Sequence, residues 1–147
     1  MSLGNVFDIA GSGMSAQSLR LNTTASNLAN ANSASGSAET TYRARNPVFS
    51  VLHQSAMNDS VGFISDVRNE SGVGVGVTEI MESQAPLQRR YEPNHPEADV
   101  EGYVFYPNVD VVEEMANMIS ASRSFQVNVE MMNSAKSMMQ RLLTLGQ

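Results

Sequence analysis

The chain has 147 residues, of which 41% are hydrophobic and only 6% aromatic, with neither Cys nor Trp. That length makes one modest domain, or a small domain joined to extended helices, and the shortage of large side chains excludes a large core. Fifteen acidic residues against nine basic ones give a net charge of −6, so the clustered cations that nucleic acid or an anionic membrane would need are missing.

Without Cys there is no disulfide framework, thiolate metal site or Cys nucleophile. No run of about 18 apolar residues occurs, so no membrane insertion is expected. The start, Met1-Ser2-Leu3-Gly4-Asn5, lacks the basic and apolar regions of a cleavable signal peptide. The expectation is a chain that stays in the cytoplasm or leaves it by a route needing no such signal.

Residues 5–31 read as a helix. Phe7, Met14, Leu21 and Leu28 recur every seven positions, and Val6, Ala10, Ala25, Ala29 and Ala31 widen the stripe. The opposite face is Ser, Gln, Asn and Thr, and residues 1–38 carry only Asp8 and Arg20 as charges. An exposed helix normally carries charges there, so this neutral face is expected to meet protein. Residues 32–46 are small and polar and read as a linker or loop. Strands are predicted over 48–52, 61–64, 72–78 and 102–106, with 83–99 loop-like because Pro86, Pro93 and Pro96 interrupt it.

A second helix is predicted from Asn108 or Asp110 to Leu145. Either residue can cap it, Glu113 and Glu114 suit its dipole, and Gly146 stops it. Its seam is Val111, Met115, Met118, Ser122, Phe125, Val129, Met132, Lys136, Met139 and Leu143, in steps of four and three. Two narrow stripes bury too little to offset the entropy of ordering two long helices. The ends are therefore expected to be loose in the free subunit and helical once assembled. Ten Met residues suit such adaptable packing.

Chemistry finds little purchase. His95-Pro96-Glu97-Ala98-Asp99 lacks a second His at ligand spacing, and His53 reads as an ordinary histidine. The Gly72–Val77 run has no Gly-Lys-Ser/Thr ending to cradle phosphate, and no Ser sits in a nucleophile elbow. Asn58-Asp59-Ser60 and Asn69-Glu70-Ser71 match glycosylation triplets only by chance. No catalytic, metal or cofactor site is predicted. Asn27 and Asn30 stand apart: an Asn-x-x-Asn pair beside the seam forms an amide row able to hydrogen-bond neighbouring backbone where the helix ends.

Ser26-Asn27-Leu28-Ala29-Asn30-Ala31-Asn32 resembles the N-terminal motif shared by the axial proteins of the bacterial flagellum, the rod, hook and filament-junction subunits. The tracts Tyr91–Asp99, Gly102–Asp110, Glu113-Glu114-Met115 and Ala121–Asn128 resemble the proximal-rod members of that family more narrowly, and the likeness spans essentially the whole chain. A longer loop, Ser33–Ala38, replaces the tight Thr-x-Gly-aromatic-Lys turn of many axial proteins.

The resemblance implies an α+β, mainly α fold in which long N- and C-terminal helices pack as a coiled-coil-like pair around a small β-rich middle. Residues 1–32 and 108–147 would be the rod core and 33–107 the linker and middle region. It implies export by the flagellar type III apparatus without signal cleavage, and assembly with other rod subunits and with copies of itself into a periplasm-crossing drive shaft. The expected subunit-interface residues are Phe7, Met14, Leu21, Leu28, Met115, Met118, Phe125, Val129, Met132, Met139 and Leu143 for packing, with Asn27, Asn30 and Asn128 for hydrogen bonding. Two alternatives share these features: a different axial subunit, and a soluble helical module that recognises a partner helix.

Overall fold

The computed structural model describes residues 3–53 and 72–145. The strand expected over 61–64, both glycosylation triplets and the Gly146 helix stop lie outside the described residues. The element order is α1 (Leu3–Asn30), β1 (Arg45–His53), β2 (Gly72–Glu82), β3 (Gln88–Tyr91), β4 (Tyr103–Tyr106) and α2 (Val111–Leu145). The fold is α+β and mainly α, with the helices at the two ends and small antiparallel sheets between them.

The helices pack on each other in antiparallel fashion: Asn27 of α1 reaches Glu114 at the start of α2, Arg20 reaches Asn117, and Gly13 faces Asn128. Asp110 is the N-cap of α2, its Oδ1 accepting from the Val112 and Glu113 amides at 2.9 and 3.3 Å. Asn108, the other cap candidate, has a different task. Its Oδ1 accepts from the Ala44 amide at 2.8 Å, and its Nδ2 donates to the carbonyls of Ser83 and Ala85. That clamp fastens the root of the β1–β2 pair to the start of α2.

β1 and β2 pair from Arg45↔Glu82 to His53↔Gly72, with irregularities at Val48/Phe49 and Leu52/His53. The pair lies against α1. Ser12 Oγ accepts from the Val75 amide at 3.2 Å, and a Cβ on Gly74 would run into Ser12. The Gly-Val alternation of β2 thus provides a smooth face on which a helix can ride.

Residues 83–99 are not all loop. Gln88–Tyr91 form β3, paired antiparallel with β4 from Gln88↔Tyr106 to Tyr91↔Tyr103. Proline flanks the segment without entering it, and the strand is fully exposed, so no alternation marks it in the sequence. Cross-strand contacts hold it: the Arg89 guanidinium lies 3.8 Å from the Tyr103 ring centroid, Arg90 lies 4.7 Å from that of Tyr106, and Tyr91 meets Tyr103 edge-on. Gly102, with φ of 81°, closes the turn into β4.

Residues 32–44 are the expected loop, and it is tied down. Ser35 exchanges both backbone hydrogen bonds with Phe105, and Gly36 sits so close to the Glu97 carbonyl that a Cβ would lie 2.9 Å from it. The segment ends as the start of β1. Small residues that look like linker in sequence are here the requirement for close backbone approach.

Candidate subunit interface

The seam between α1 and α2 is polar and small. Along α1 it follows Ala10, Gly13, Gln17, Arg20, Thr24 and Asn27, and along α2 Glu114, Asn117, Ala121, Ser124, Asn128 and Ala135. The α1 set steps by three and four, and the α2 set does so up to Asn128 and then by a full heptad to Ala135, the coiled-coil spacing, but on a different stripe from the apolar one. Of eight apolar residues buried among the described ones, six are alanine; the others are Val104 and Val109. At Gly13 the helices come close enough that a Cβ would lie 2.8 Å from Asn128 Nδ2. Arg20 Nη2 donates to Asn117 Oδ1 at 2.8 Å. Gln17 Oε1 is buried without a hydrogen-bond partner among the described residues.

Asn27 is the hub. It is 1% exposed, and its amide makes four hydrogen bonds. Nδ2 donates to the Arg45 carbonyl at 2.8 Å and to Glu114 Oε1 at 3.0 Å. Oδ1 accepts from the Tyr42 hydroxyl and the Arg45 amide, both at 2.9 Å. One side chain thereby joins α1, the start of β1 and the start of α2, and its donors and acceptors are all in use. The neighbouring backbone expected for the Asn-x-x-Asn row is, for Asn27, that of Arg45 in its own chain. Asn30 likewise bonds locally, to the Ser26 carbonyl. Asn128 is half-buried against Gly13.

Glu114 turns into the seam instead of lying beside Glu113 on the surface, and is 7% exposed. Burial pushes its carboxyl above the ordinary carboxylate value. The Asn27 amide opposes the rise, the Glu113 charge adds to it, and Thr24 and Arg20 pull it back down.

The apolar stripes point elsewhere. Phe7, Met14, Leu21, Leu28, Met118, Phe125, Val129 and Met132 are only partly buried. Met115, Met139 and Leu143 are exposed, Leu143 to 68%. The β1–β2 pair adds exposed Phe49, Val51, Ile80 and Met81. The missed signal was a second heptad stripe made of Ala, Gly and amides, which a search for hydrophobic periodicity passes over.

Other candidates stay ordinary. His95 Nδ1 accepts from the Glu97 amide at 3.1 Å within its turn. Among the described residues no cluster of His, Cys, Asp or Glu could hold a metal ion, and no helix is long and apolar enough to cross a membrane.

Two long terminal helices, paired through a polar seam and leaving Met115, Met139 and Leu143 exposed, are the frame of a structural subunit. Residues 7–36 match the family described as flagella basal body rod protein, and residues 100–145 match the C-terminal family of the flagellar basal body rod FlgEFG proteins. Over 147 residues, covering 100% of both chains, the sequence is 52% identical to the flagellar basal-body rod protein FlgC of Escherichia coli O157:H7 and to that of Salmonella typhimurium. It is 36% identical to FlgC of Borreliella burgdorferi, across 100% of this chain and 99% of that one. The chain belongs to the FlgC family of flagellar basal-body rod proteins. It is a structural subunit of the rod and assembles with other basal-body rod components.

Proposed function

We propose that the chain polymerises with copies of itself and with other rod subunits into the torque-transmitting shaft that crosses the periplasm, and that its role there involves no catalytic step. Residues 1–32 and 108–147 form the helical core of the shaft, and 33–107 form its outer part. The chain reaches this place through the flagellar type III apparatus, unfolded and without signal cleavage. One observation carries the reading: the seam within the chain is polar and alanine-lined, while the large side chains Met115, Met139, Leu142 and Leu143 are left exposed. A helical pair with so little apolar burial of its own gains most of its stability from neighbours. Phe7, Met14, Leu21, Leu28, Met118, Phe125, Val129 and Met132 are the further contacts it offers them.

The test is Phe125→Asp. A carboxylate in the apolar stripe, at partly buried Phe125, should abolish motility and incorporation into basal bodies while leaving the amount of chain in the cell unchanged. A motile strain with normal incorporation of the variant would remove the stripe from the interface.

A further inference from the structure

The strand edges near α1 are closed at several points. Asn27 occupies the outward N–H and C=O of Arg45, Pro47 has no N–H to offer, and Ser12 takes the Val75 amide. On β4, Phe105 exchanges both its backbone bonds with Ser35, at 2.9 and 3.0 Å. The outer edge of β3 differs. Glu92 donates to the Gly102 carbonyl at 2.9 Å and Phe105 is committed to Ser35, so the ladder bonds fall at Gln88↔Tyr106 and Arg90↔Val104. Arg89 and Tyr91 therefore turn their N–H and C=O groups outward. Among the described residues none of these backbone groups meets a partner, and every residue of β3 is exposed.

The two arginines of β3 do not screen that edge. Their guanidinium groups lie inward, over the β4 rings of Tyr103 and Tyr106. Arg89 is further paired with Glu101 at 3.1 Å. Arg90 has the neutral Gln88 Oε1 at 3.3 Å, and no carboxylate within ion-pair distance among the described residues. Beside it opens a recess of about 300 Å³, lined by Gln88, Arg90 and Tyr106 of the sheet and by Asn32, Asp110 and Val111. Asp110 is taken up in capping α2. On the other face of the sheet the Tyr91 side chain stands 64% exposed. The edge thus presents free backbone donors and acceptors, an uncompensated cation on one face and an aromatic ring on the other.

We propose that the free edge of β3 receives an antiparallel strand from a different protein, an extended segment in which acidic and apolar residues alternate. Its backbone pairs with Arg89 and Tyr91, a carboxylate sits on Arg90 at the mouth of the recess, and an apolar side chain covers Tyr91. Main-chain bonds at a sheet edge supply affinity in such a joint, and alternate side chains supply selectivity. Charge decides the class of partner. In the registers that overlap most of the strand, β3 of a second copy would set Arg89 against Arg89 or Arg90 against Arg90, and like charges directly opposite are unfavourable. An acidic strand meets the same edge with the opposite sign.

The probe is a fluorescein-labelled peptide, Thr-Val-Glu-Val-Glu-Val-Thr, titrated with the full chain and followed by anisotropy. Saturable binding is expected. In an antiparallel strand the residues opposite Arg89 and Tyr91 carry the bonded amides. N-methylation of the valines should therefore abolish binding, and N-methylation of the glutamates should not. Arg90→Gln should weaken the peptide about fivefold, the scale of one exposed ion pair, and should leave the affinity of a peptide with Gln in place of Glu unchanged. Tyrosine emission of the variant checks that the β3–β4 pair is intact. In cells, Tyr91→benzoylphenylalanine should photo-link the chain to a different protein, at a residue flanked by Asp or Glu. Links only to a second copy of this chain overturn the proposal. So do absence of saturable binding, indifference to valine methylation, and a peptide affinity unmoved by Arg90→Gln. Each of these results leaves the rod reading intact.

Discussion

Replacing Asn27 by Ala removes four hydrogen bonds from one buried point. Tyr42 keeps a second partner in the Ser26 hydroxyl at 3.3 Å. Three groups then lose a partner: the N–H and C=O of Arg45, and the Glu114 carboxylate, which keeps its bond from Thr24. At about 1 kcal/mol for each hydrogen bond lost, the loss is about 3 kcal/mol. With a urea dependence of roughly 1.5 kcal/mol per molar for a small domain, the unfolding midpoint falls by about 2 M. Tyrosine fluorescence is the assay. The four tyrosines, Tyr42, Tyr91, Tyr103 and Tyr106, all lie between the helices and there is no Trp, so emission reports the middle of the chain while circular dichroism reports the helices. Asn27→Asp serves as the isosteric control. It keeps the acceptor toward Tyr42 and Arg45, loses the donor, and sets a second carboxylate against Glu114. Two such groups raise each other's pKa, so this variant should recover stability on acidification where Asn27→Ala does not. A midpoint for Asn27→Ala within about 0.3 M of wild type would refute the hub.

Glu114 carries its own pH signature. Its folded pKa lies above the unfolded value because of burial, so between those two values the folded state holds a proton that the unfolded chain has released. Stability therefore falls as pH rises through that window. Glu114→Gln should match wild type at the acidic end and exceed it at neutral pH, read as urea midpoints from pH 4 to 8. Gly13→Ala should add about 1 kcal/mol of helix stability only when paired with Asn128→Ala, because the Asn128 amide occupies the space the methyl needs. Thermal melts of the assembled chain measure that coupling. Gly102→Ala forces a φ of 81° on a residue with a Cβ that would lie 2.9 Å from the Tyr91 ring. It should cost about 1–2 kcal/mol in the tyrosine-monitored transition.

The long elements were legible because their periodicity is long. A helix over 5–31 becomes Leu3–Asn30, and one beginning at 108 or 110 becomes Val111–Leu145. Val48–Leu52 and Gly72–Thr78 fall inside β1 and β2, and the last strand shifts by one residue to Tyr103. β3 was hidden because its stability comes from Arg–Tyr contacts across strands, which no window along one strand records. The pairing face of the helices was hidden for a related reason. Hydrophobic periodicity finds the stripe through Phe7, Met14 and Leu21, yet the chain pairs its own helices through Gly13, Arg20 and Asn27, where geometry and hydrogen bonding decide. The Asn-x-x-Asn row was readable as a backbone-binding motif; that its target was Arg45 of the same chain depended on a fold the local sequence does not specify.

Every part of this account turns on how weakly the two helices hold each other without company. Amide hydrogen exchange, followed by mass spectrometry on the dilute chain and on the same chain in purified basal bodies, measures that directly. The expected pattern is rapid exchange across 3–20 and 121–145 in solution and strong protection of both segments in the rod. Slow exchange along both helices in the dilute, monomeric chain would contradict it.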